Sequence, residues 1–429
     1  MTRADEADKL DTTGAVAGDL APDARPGAAP SPSELVALEH LAPAAFRAPA
    51  LLQVGWGAFA ATLPAVLAEI GVQRPLLVTD RTVRGLPPVR AAVDALAPGV
   101  RFADVFDAIP GEPTTREVDA GVAVVRGAAC DGIVAVGGGA VLDSAKAIAL
   151  LAASGGSVTE FRGVNRFPRP GLPLVAVPTT AGTGSEVTRF TVIIDPASQV
   201  KLLITDDKMV PRAAIVDPSL MVDAPPRVTA SAGVDALTHA IEAYVSRRRT
   251  PLTDTLALSA IRRLVWSLPV AFADGRNAAA RCAAAVGALE AGLAFSNASV
   301  ALVHGMSRPL GALFGAPHGI ANAMLLPVVT AYSLPAAPER YRDVAQALGV
   351  DVAGLALEPA VAARRGLEVI EGLCRTLAIP TLVGYGIDRA ALERAAAKMA
   401  EDALASGSPA NNPRVPTAAE IVDLYLRAS

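Results

Sequence analysis

The first part of the chain alternates short apolar runs with helix-like stretches. The runs PLLVTD (75–80), GIVAVGGG (132–139) and PLVAVPTT (173–180) are apolar at first and end in turn, glycine or hydroxyl residues. A helix-like stretch over 114–129 lies between the first two runs. Because strands that alternate with helices form parallel sheets with crossover helices, residues 34–225 are predicted to form an α/β domain.

After Pro225–Pro226 the pattern changes to amphipathic and alanine-rich helices. Apolar residues recur at helical spacing over 229–247, 252–273, 276–298, 319–333, 338–348, 359–377 and 388–405. Residues 226–429 are therefore predicted to form an all-helical second domain. Residues 1–33 are rich in Ala, Pro, Asp and Gly with few large apolar residues, which predicts a disordered N-terminal extension.

The apolar stretches do not predict a membrane protein. Hydrophobic residues make up 52% of the chain, but many are alanines, and charges, glycines or prolines interrupt each stretch. The longest candidate, around 283–303, contains Glu290, Ser296 and Asn297 and is interpreted as a buried helix. The net charge is −4, and the one basic run, Arg247–Arg249, is typical of a solvated helix end, so no nucleic-acid partner is expected.

The cysteines indicate a reducing compartment. Cys130, Cys282 and Cys374 are few, scattered and odd in number, so they predict neither a disulfide framework nor a CxxC site. The N-terminus also lacks the basic and apolar regions of a secretory signal. A cytoplasmic location is therefore expected, with each cysteine a small core residue rather than a nucleophile.

Two loops have the composition of a nucleotide site. Gly137, Gly138 and Gly139 follow a buried strand and precede a helix, whose free N–H groups attract phosphate. This is not a GxGxxG fingerprint, and glycines are common in strand–helix turns. The second loop, PTTAGTGSEVTRF (178–190), offers the hydroxyls of Thr179, Thr180, Thr183 and Ser185. It is predicted to lie at the carboxyl edge of the sheet, where ligands bind; the alternative is a surface turn capped by threonines.

Asp80 ends the first apolar run. A carboxylate at such a strand end accepts hydrogen bonds from a ribose diol and repels a 2′-phosphate, which favours NAD over NADP. The alternative is that Asp80 caps a helix.

The histidines point to a metal. The chain has only four, and three of them, His239, His304 and His318, accompany Asp235 in the segments GVDALTHAIEAYVS and VHGMSRPLGALFGAPHG. Asp235 and His239 are four apart and share one helix face. One carboxylate and three imidazoles suit Fe(II) or Zn(II) acting as a Lewis acid on an alcohol or carbonyl oxygen. His40 is interpreted as incidental.

These motifs together resemble the iron-containing (group III) alcohol dehydrogenases. The resemblance runs from Gly55 to Tyr425 and rests on VTD (78–80), GGGAVLDSAK (137–146), PTTAGTGSEVTRF (178–190), AIVDPSL (214–220), PPRVTASAGVDALTHAIEAYVS (225–246), the His304–His318 segment and NNPR (411–414). It implies an α/β dinucleotide-binding domain with a Rossmann-like parallel sheet, an all-α metal-binding domain, and a homo-oligomer, expected to be a dimer.

The resemblance also implies roles for single residues. The metal ligands would be Asp235, His239, His304 and His318. The residues along the cofactor would be Gly138, Gly139, Asp143, Thr179, Thr180 and Lys201, with Asp80 near the adenosine ribose. Lys201 would face the nicotinamide end, although its position alone suggests an exposed strand lysine.

Two positions depart from the family pattern. Many members have a serine where this chain has Ala140, which removes a hydroxyl but no backbone N–H.

Many members also have a histidine four residues after the third metal ligand, where this chain has Arg308. Arginine cannot relay protons near neutrality, but it pairs well with carboxylate or phosphonate. We therefore expect a substrate with an anionic group held by Arg308, with Arg189 a weaker candidate. The alternative is that Arg308 binds a neighbouring carboxylate or the cofactor phosphates.

The predicted activity is metal-assisted hydride transfer between NAD(H) and a small alcohol or aldehyde. Without the family histidine, proton transfer is expected to use water at the metal or the ribose hydroxyls. A hydroxyacid–oxoacid transhydrogenase is the alternative within the family. A sugar-phosphate cyclase of the dehydroquinate-synthase type is the alternative in another enzyme class. A non-enzymatic binding protein is the least expected, because it would keep a full ligand set and two cofactor loops without using them.

Overall fold

The computed structural model describes residues 44–96, 99–198 and 200–429, and the residues from Ala45 onwards form one compact unit. The predicted disordered extension (1–33) and His40 lie outside the described residues.

A six-stranded parallel sheet forms the centre of the N-terminal part. Its strands are β1 (Leu51–Val54), β2 (Pro75–Val78), β3 (Asp104–Phe106), β4 (Gly132–Gly137), β6 (Leu174–Pro178) and β9 (Ala213–Val216). Their order across the sheet is β1-β9-β6-β4-β2-β3. The three apolar runs predicted from the sequence correspond to β2, β4 and β6, which are fully buried because helices cover both faces of such a sheet.

Helices connect these strands and cover the sheet. They are α1 (Ala58–Glu69), α2 (Arg81–Gly85), α3 (Pro87–Leu96), α4 (Thr115–Gly127) and α5 (Gly139–Ser154). Strands β4 and β6 are paired, with Gly137 opposite Pro178. The glycine loop after β4 and the threonine loop after β6 therefore emerge side by side at one edge of the sheet.

A second, three-stranded sheet was not predicted. It contains β5 (Gly163–Val164), β7 (Phe190–Asp195) and β8 (Val200–Thr205) in the order β5-β8-β7. Strands β7 and β8 are antiparallel, with Ile194 opposite Lys201. Lys201 is thus on a strand, as its sequence position suggested.

The C-terminal part is helical. It contains α6 (Pro226–Val245), α7 (Pro251–Ala273), α8 (Ala278–Ala298), α9 (Leu302–Phe314), α10 (His318–Ser333), α11 (Pro338–Ala347), α12 (Pro359–Thr376), α13 (Arg389–Ala405) and α14 (Ala418–Arg427). Helices α9 and α14 were missing from the prediction. Gly305, Pro309 and Gly311 lower the helical propensity of α9, so packing against its neighbours must override it. The predicted fold class, a parallel α/β sheet followed by a helical part, is confirmed.

An apolar cluster joins the sheet to the helical part. It combines residues from the end of β9, the turn after β6 and helix α8, namely Val187, Ala214, Val216, Met221, Ala285 and Leu289. The chain changes from strands to helices between the end of β9 and the start of α6. The domain boundary at Pro225–Pro226 stays a prediction.

Three helical segments have the length and hydropathy of membrane spans: Pro251–Ala273, Ala278–Ala298 and His318–Ala336. Their apolar windows are 39%, 61% and 61% buried inside the protein, respectively. The second contains most of the stretch interpreted above as a buried helix, and the third begins at a predicted metal ligand.

Candidate metal and cofactor site

Four predicted ligands converge on one point. Helix α6 carries Asp235 and His239 one turn apart, α9 carries His304, and α10 begins at His318. The Oδ1 atom of Asp235 lies 3.6 Å from Nε2 of His304 and 3.9 Å from Nε2 of both His239 and His318. The four donor atoms all lie within 4.8 Å of one another. An ion bonded at about 2.0–2.2 Å spans up to about 4.4 Å between opposite ligands, so small side-chain movements suffice to complete a coordination shell.

The site is open on one side only. The side chains of Asp235, His239 and His304 are 2–4% exposed, whereas that of His318 is 45% exposed. The His239 ring is fixed from behind by Phe295, which stacks on it at 4.0 Å between ring centroids. A substrate oxygen therefore has access from the His318 side.

The electrostatics favour metal-ready protonation states. Burial lowers the pKa of His239 to about 3, and partial desolvation together with the charges of His304, Arg308 and Lys201 lowers that of His318, both against the pull of Asp235. Burial raises the pKa of Asp235, but the neighbouring histidines outweigh it and hold that pKa well below its usual range. At neutral pH the carboxylate is ionised and these two imidazoles are neutral, which are the forms that bind a divalent cation.

Glu242 orients His304. Its carboxylate lies 2.6 Å from Nδ1 of His304 and accepts the backbone N–H groups of Ala301 and Val303 at 2.9 and 2.6 Å. With Nδ1–H donating to Glu242, the lone pair of Nε2 faces the other ligands. The same carboxylate raises the pKa of His304, against the lowering effect of burial. Glu242 is not predicted from the sequence, where its one signal is its place one turn after His239.

Asn322 is a second missed residue, one turn after His318 on α10. Its amide nitrogen donates to Oδ1 of Asp235 at 2.6 Å and contacts Nε2 of His304 and His318 at 3.0 and 3.1 Å. The amide N–H groups of Asn322 occupy the place where a cation would act, because they point at the lone pairs of Asp235, His304 and His318, which otherwise face one another. Its own Oδ1 is buried without a hydrogen-bond partner. The orphaned oxygen and the convergent lone pairs show that the donor set fits a divalent metal.

The two predicted cofactor loops meet at the carboxyl edge of the sheet. Gly138 precedes α5 and makes no side-chain cap hydrogen bond, so the N–H groups of that helix end are available to a phosphate. A Cβ on Gly139 would lie 2.8 Å from Cγ2 of Thr183, which requires glycine at this close approach. A Cβ on Gly137 would meet Val141 at 2.6 Å, so this glycine also packs closely.

A cavity of about 640 Å³ opens beside these loops. Its walls include Asp80, Gly138, Ala140, Thr179 and Thr180. Asp80 also caps α2, since its Oδ1 accepts the N–H of Val83 at 2.8 Å. The two interpretations of Asp80 are therefore compatible: one oxygen caps the helix while the residue lines the cavity. The volume of the cavity and the threonine hydroxyls in its wall are compatible with a nucleotide.

Other predicted cofactor residues lie in different surroundings. Asp143 accepts hydrogen bonds from Oγ of Ser185 at 2.6 Å and from the N–H of Val192 at 2.8 Å, so it ties α5 to the threonine loop and to β7. The Nζ atom of Lys201 forms an ion pair with Glu112 at 2.8 Å. None of Asp143, Ser185 and Lys201 is among the residues that line the cavity.

The two candidate arginines differ in their partners. Arg189 forms an ion pair with Asp207 at 3.1 Å and donates to the carbonyl of Ser296. Arg308 donates from Nη1 to Oγ of Ser408 at 3.1 Å. Arg189 is thus already neutralised, in contrast to Arg308.

Comparison with known proteins gives the same picture. Residues 49–218 match the family model described as iron-containing alcohol dehydrogenase, and residues 229–429 match that of the C-terminal part of the Fe-containing alcohol dehydrogenase family. The NAD-dependent methanol dehydrogenase of Bacillus methanolicus is 38% identical over 369 residues, which cover 84% of this chain and 94% of that protein.

Solved structures of proteins with related sequences have the same fold as this chain. A structure of 1,3-propanediol oxidoreductase has a TM-score of 0.86 and 37% identity, covering 90% of this chain and 100% of its own. The NAD⁺ complex of sulfoacetaldehyde reductase from Bifidobacterium kashiwanohense has a TM-score of 0.80 and 27% identity, covering 90% and 99%. This protein is an oxidoreductase that transfers a hydride between a nicotinamide cofactor and an alcohol or aldehyde. The chain belongs to the iron-containing alcohol dehydrogenase family.

Proposed function

We propose that Asp235, His239, His304 and His318 hold the metal of this dehydrogenase, and that the cofactor lies along the glycine and threonine loops. The convergence of four metal donors beside a glycine-rich cavity carries the proposal. The threonine loop packs against the helix that carries two of these donors, because a Cβ on Gly182 would lie 2.7 Å from Cβ of Ala232 on α6, one turn before Asp235. Substrate reaches the junction from the side of His318.

In the reductive direction the reaction consumes an aldehyde, NADH and a proton, and yields an alcohol and NAD⁺. When bound, the metal supplies Lewis acidity to the substrate oxygen and the nicotinamide supplies the hydride. The protein orients the metal ligands. Glu242 keeps His304 in one tautomer, and Phe295 fixes the ring plane of His239. Three buried ligands and one exposed ligand direct the substrate to a single face.

We propose Fe(II) or Zn(II) as the metal and NAD as the preferred cofactor. The donor set contains no thiolate, and three imidazoles with one carboxylate suit both ions. For the cofactor, Asp80 places a carboxylate in the wall of the cavity, which disfavours a 2′-phosphate. A relative is named NAD-dependent and a solved relative binds NAD⁺, which supports the same choice.

Anaerobic reconstitution tests the proposal. Metal-free protein is loaded with Fe(II) or Zn(II), metal content is measured, and aldehyde-dependent oxidation of NADH and NADPH is followed. We expect about one metal per chain and higher kcat/KM with NADH. His304→Ala should lose both metal and activity, while His40→Ala, the histidine outside the ligand set, should keep both. Full metal content and activity in His304→Ala would contradict the assignment.

The transhydrogenase stays a second candidate because Arg308 has no carboxylate partner within 4 Å among the described residues, which suits an acid substrate. Turnover of a hydroxyacid with an oxoacid, without added nucleotide, would identify it. Net consumption of NADH separates the dehydrogenase from the transhydrogenase and from a cyclase, because both of these regenerate their cofactor in each cycle.

We further infer a homo-oligomer, expected to be a dimer, in a reducing cytoplasm. Strand β1 is at one end of the six-stranded sheet, and Leu52, Val54 and Trp56 are 40%, 45% and 52% exposed along it. Apolar edge strands are commonly covered by a second chain. The cytoplasmic location is supported by the three cysteines, which are all free.

A further inference from the structure

Arg308 is placed beside the metal ligands by helix geometry. It follows His304 by four residues on α9, and side chains with this spacing lie on one helix face about 5–6 Å apart at Cβ. Its side chain is half-buried and is steadied by the buried Ser408, whose Oγ accepts from Nη1 at 3.1 Å. The guanidinium is therefore held in a defined place next to the metal site.

The charge of Arg308 is not neutralised by the protein. No carboxylate of the described residues lies within 4 Å of its nitrogens, although twelve other described arginines have one. The nearby Glu242 is occupied by His304 and by the N–H groups of Ala301 and Val303. Burial lowers the pKa of Arg308, but a guanidinium stays charged at neutral pH. Partial burial of a cation without a counter-ion costs free energy, and an anionic ligand that binds there would offset this cost.

The other cation of the site is already paired. A Cβ on Gly311, one turn after Arg308, would lie 3.0 Å from Nζ of Lys201, so this lysine borders the same stretch of α9. Lys201 forms an ion pair with the exposed Glu112. Of the two cations, Arg308 alone has its charge available.

We propose that Arg308 binds an anionic oxygen group of the substrate, so that the preferred substrates are small aldehydes or alcohols with a carboxylate, sulfonate or phosphonate. The inference rests on the proposed function, because it needs the carbonyl at the metal ligands. The planar guanidinium offers two parallel N–H donors that match two oxygens of such a group. Since Arg308 is one helical turn from His304, the anionic group and the carbonyl carbon must be close together in the molecule.

Matched substrates test the proposal. Butanal is compared with succinic semialdehyde, and propanal with sulfoacetaldehyde and phosphonoacetaldehyde, in wild type, Arg308→Gln, Arg308→Lys and Arg365→Ala. Glutamine keeps a polar group near Ser408 but removes the charge, and lysine keeps the charge but removes the two parallel N–H donors of the guanidinium. Arg365, an exposed arginine on α12, is the control position. Metal content of each variant is measured, because α9 also carries His304.

We expect the ratio of kcat/KM for the anionic over the neutral aldehyde to fall about a hundredfold in Arg308→Gln, less in Arg308→Lys, and not at all in Arg365→Ala. The loss should appear mainly in KM, because the contact is the same in ground and transition states. Comparison of kcat/KM for the carboxylate, sulfonate and phosphonate aldehydes shows which anionic group the site prefers. A ratio within about twofold of wild type in Arg308→Gln at full metal content would overturn the proposal.

A binding measurement separates this inference from the proposed function. Succinate, sulfoacetate and phosphonoacetate are titrated calorimetrically into metal-loaded wild type and Arg308→Gln. Tighter binding to wild type without any aldehyde turnover would refute the proposed function and leave the anion site standing. Equal binding to both proteins, with neutral aldehydes reduced normally, would refute the anion site alone.

Discussion

Single side chains behind the metal ligands decide how those ligands are presented. His304 has two usable nitrogens, and the carboxylate of Glu242 at 2.6 Å from Nδ1 reserves Nε2 for the metal. Asn322 contacts three of the four ligands through one amide nitrogen. Neither residue is a ligand, yet both restrict the geometry of the site, because metal affinity depends on groups that orient the ligands.

Replacing Glu242 by glutamine should weaken metal binding by about ten- to a hundredfold. Glutamine keeps the size of the side chain but removes the charge that favours Nδ1–H of His304. The dissociation constant is measured by competition with a chromophoric chelator. Glu368→Gln, an exposed glutamate on α12, is the matched control. Affinity within about twofold of wild type would show that Glu242 does not orient the ligand.

At the scale of elements, the two loops depend on close packing and on buried charges. The threonine loop touches the glycine loop through Thr183 and Gly139, and it touches α6 through Gly182. The turn that ends this loop buries Glu186, whose charge lies near that of the buried Lys146 on α5. A change at either contact should therefore act on both cofactor binding and stability.

Gly139→Ala should weaken NADH binding by about tenfold or more. The new Cβ would lie 2.8 Å from Cγ2 of Thr183, and overpacking of this kind costs about 1–3 kcal/mol as the loops separate. Fluorescence titration of NADH measures the affinity. Gly372→Ala on α12, where the nearest atom would be 3.8 Å away, should leave it unchanged. Equal NADH affinity in the two variants would count against the proposed cofactor loops.

Glu186 should make stability depend on pH. Burial raises its pKa to about 7, against the effects of a backbone hydrogen bond and of Lys146. The folded protein then keeps a proton that the unfolded chain releases near its ordinary pKa of 4.5, so the free energy of unfolding falls as pH rises between these values.

Urea unfolding at pH 5 and pH 7.5 checks this prediction. From pH 5 to pH 7.5 the free energy of unfolding of wild type should fall by about 2 kcal/mol more than that of Glu186→Gln, because the glutamine has no proton to release. Lys146, whose pKa burial lowers to about 8, contributes mainly above this range, because its charged form is disfavoured only in the folded protein. Parallel pH profiles for the two proteins would contradict the prediction.

At the scale of the whole molecule, one compact unit contains the six-stranded sheet, the three-stranded sheet and the helices. The apolar cluster between β9 and α8 holds the cofactor loops against the metal helices. The free edge of β1 is at one end of the sheet, at the opposite end from β3. Such an arrangement leaves this edge available for assembly with a second copy.

Val54→Lys should disrupt the proposed dimer. A lysine on an edge strand opposes pairing with another strand because its charge would be buried. The molecular mass from analytical ultracentrifugation should fall to that of one chain. Val164→Lys, at another exposed strand valine, should leave the mass unchanged. A monomeric wild type, or a dimer that persists in Val54→Lys, would refute an interface at β1.

Features with local signals could be predicted from the amino-acid sequence alone. The apolar runs of β2, β4 and β6 and the helices after Pro226 follow from side-chain periodicity, which acts over a few neighbouring residues. The four ligand types were visible because histidine is rare in this chain and Asp235 is one helical turn from His239. Family membership followed from motifs that can be compared residue by residue.

Features that depend on residues far apart in the chain could be read only from the three-dimensional fold. Helix α9 forms despite two glycines and a proline, because packing in the helical part outweighs its weak local propensity. The partnership of Glu242 with His304, the contacts of Asn322 and the opening at His318 all join separate helices. Arg308 was visible in the sequence as a departure, but its lack of a carboxylate partner was not. Hydrogen bonds and burial depend on distance in space, which local sequence patterns do not encode.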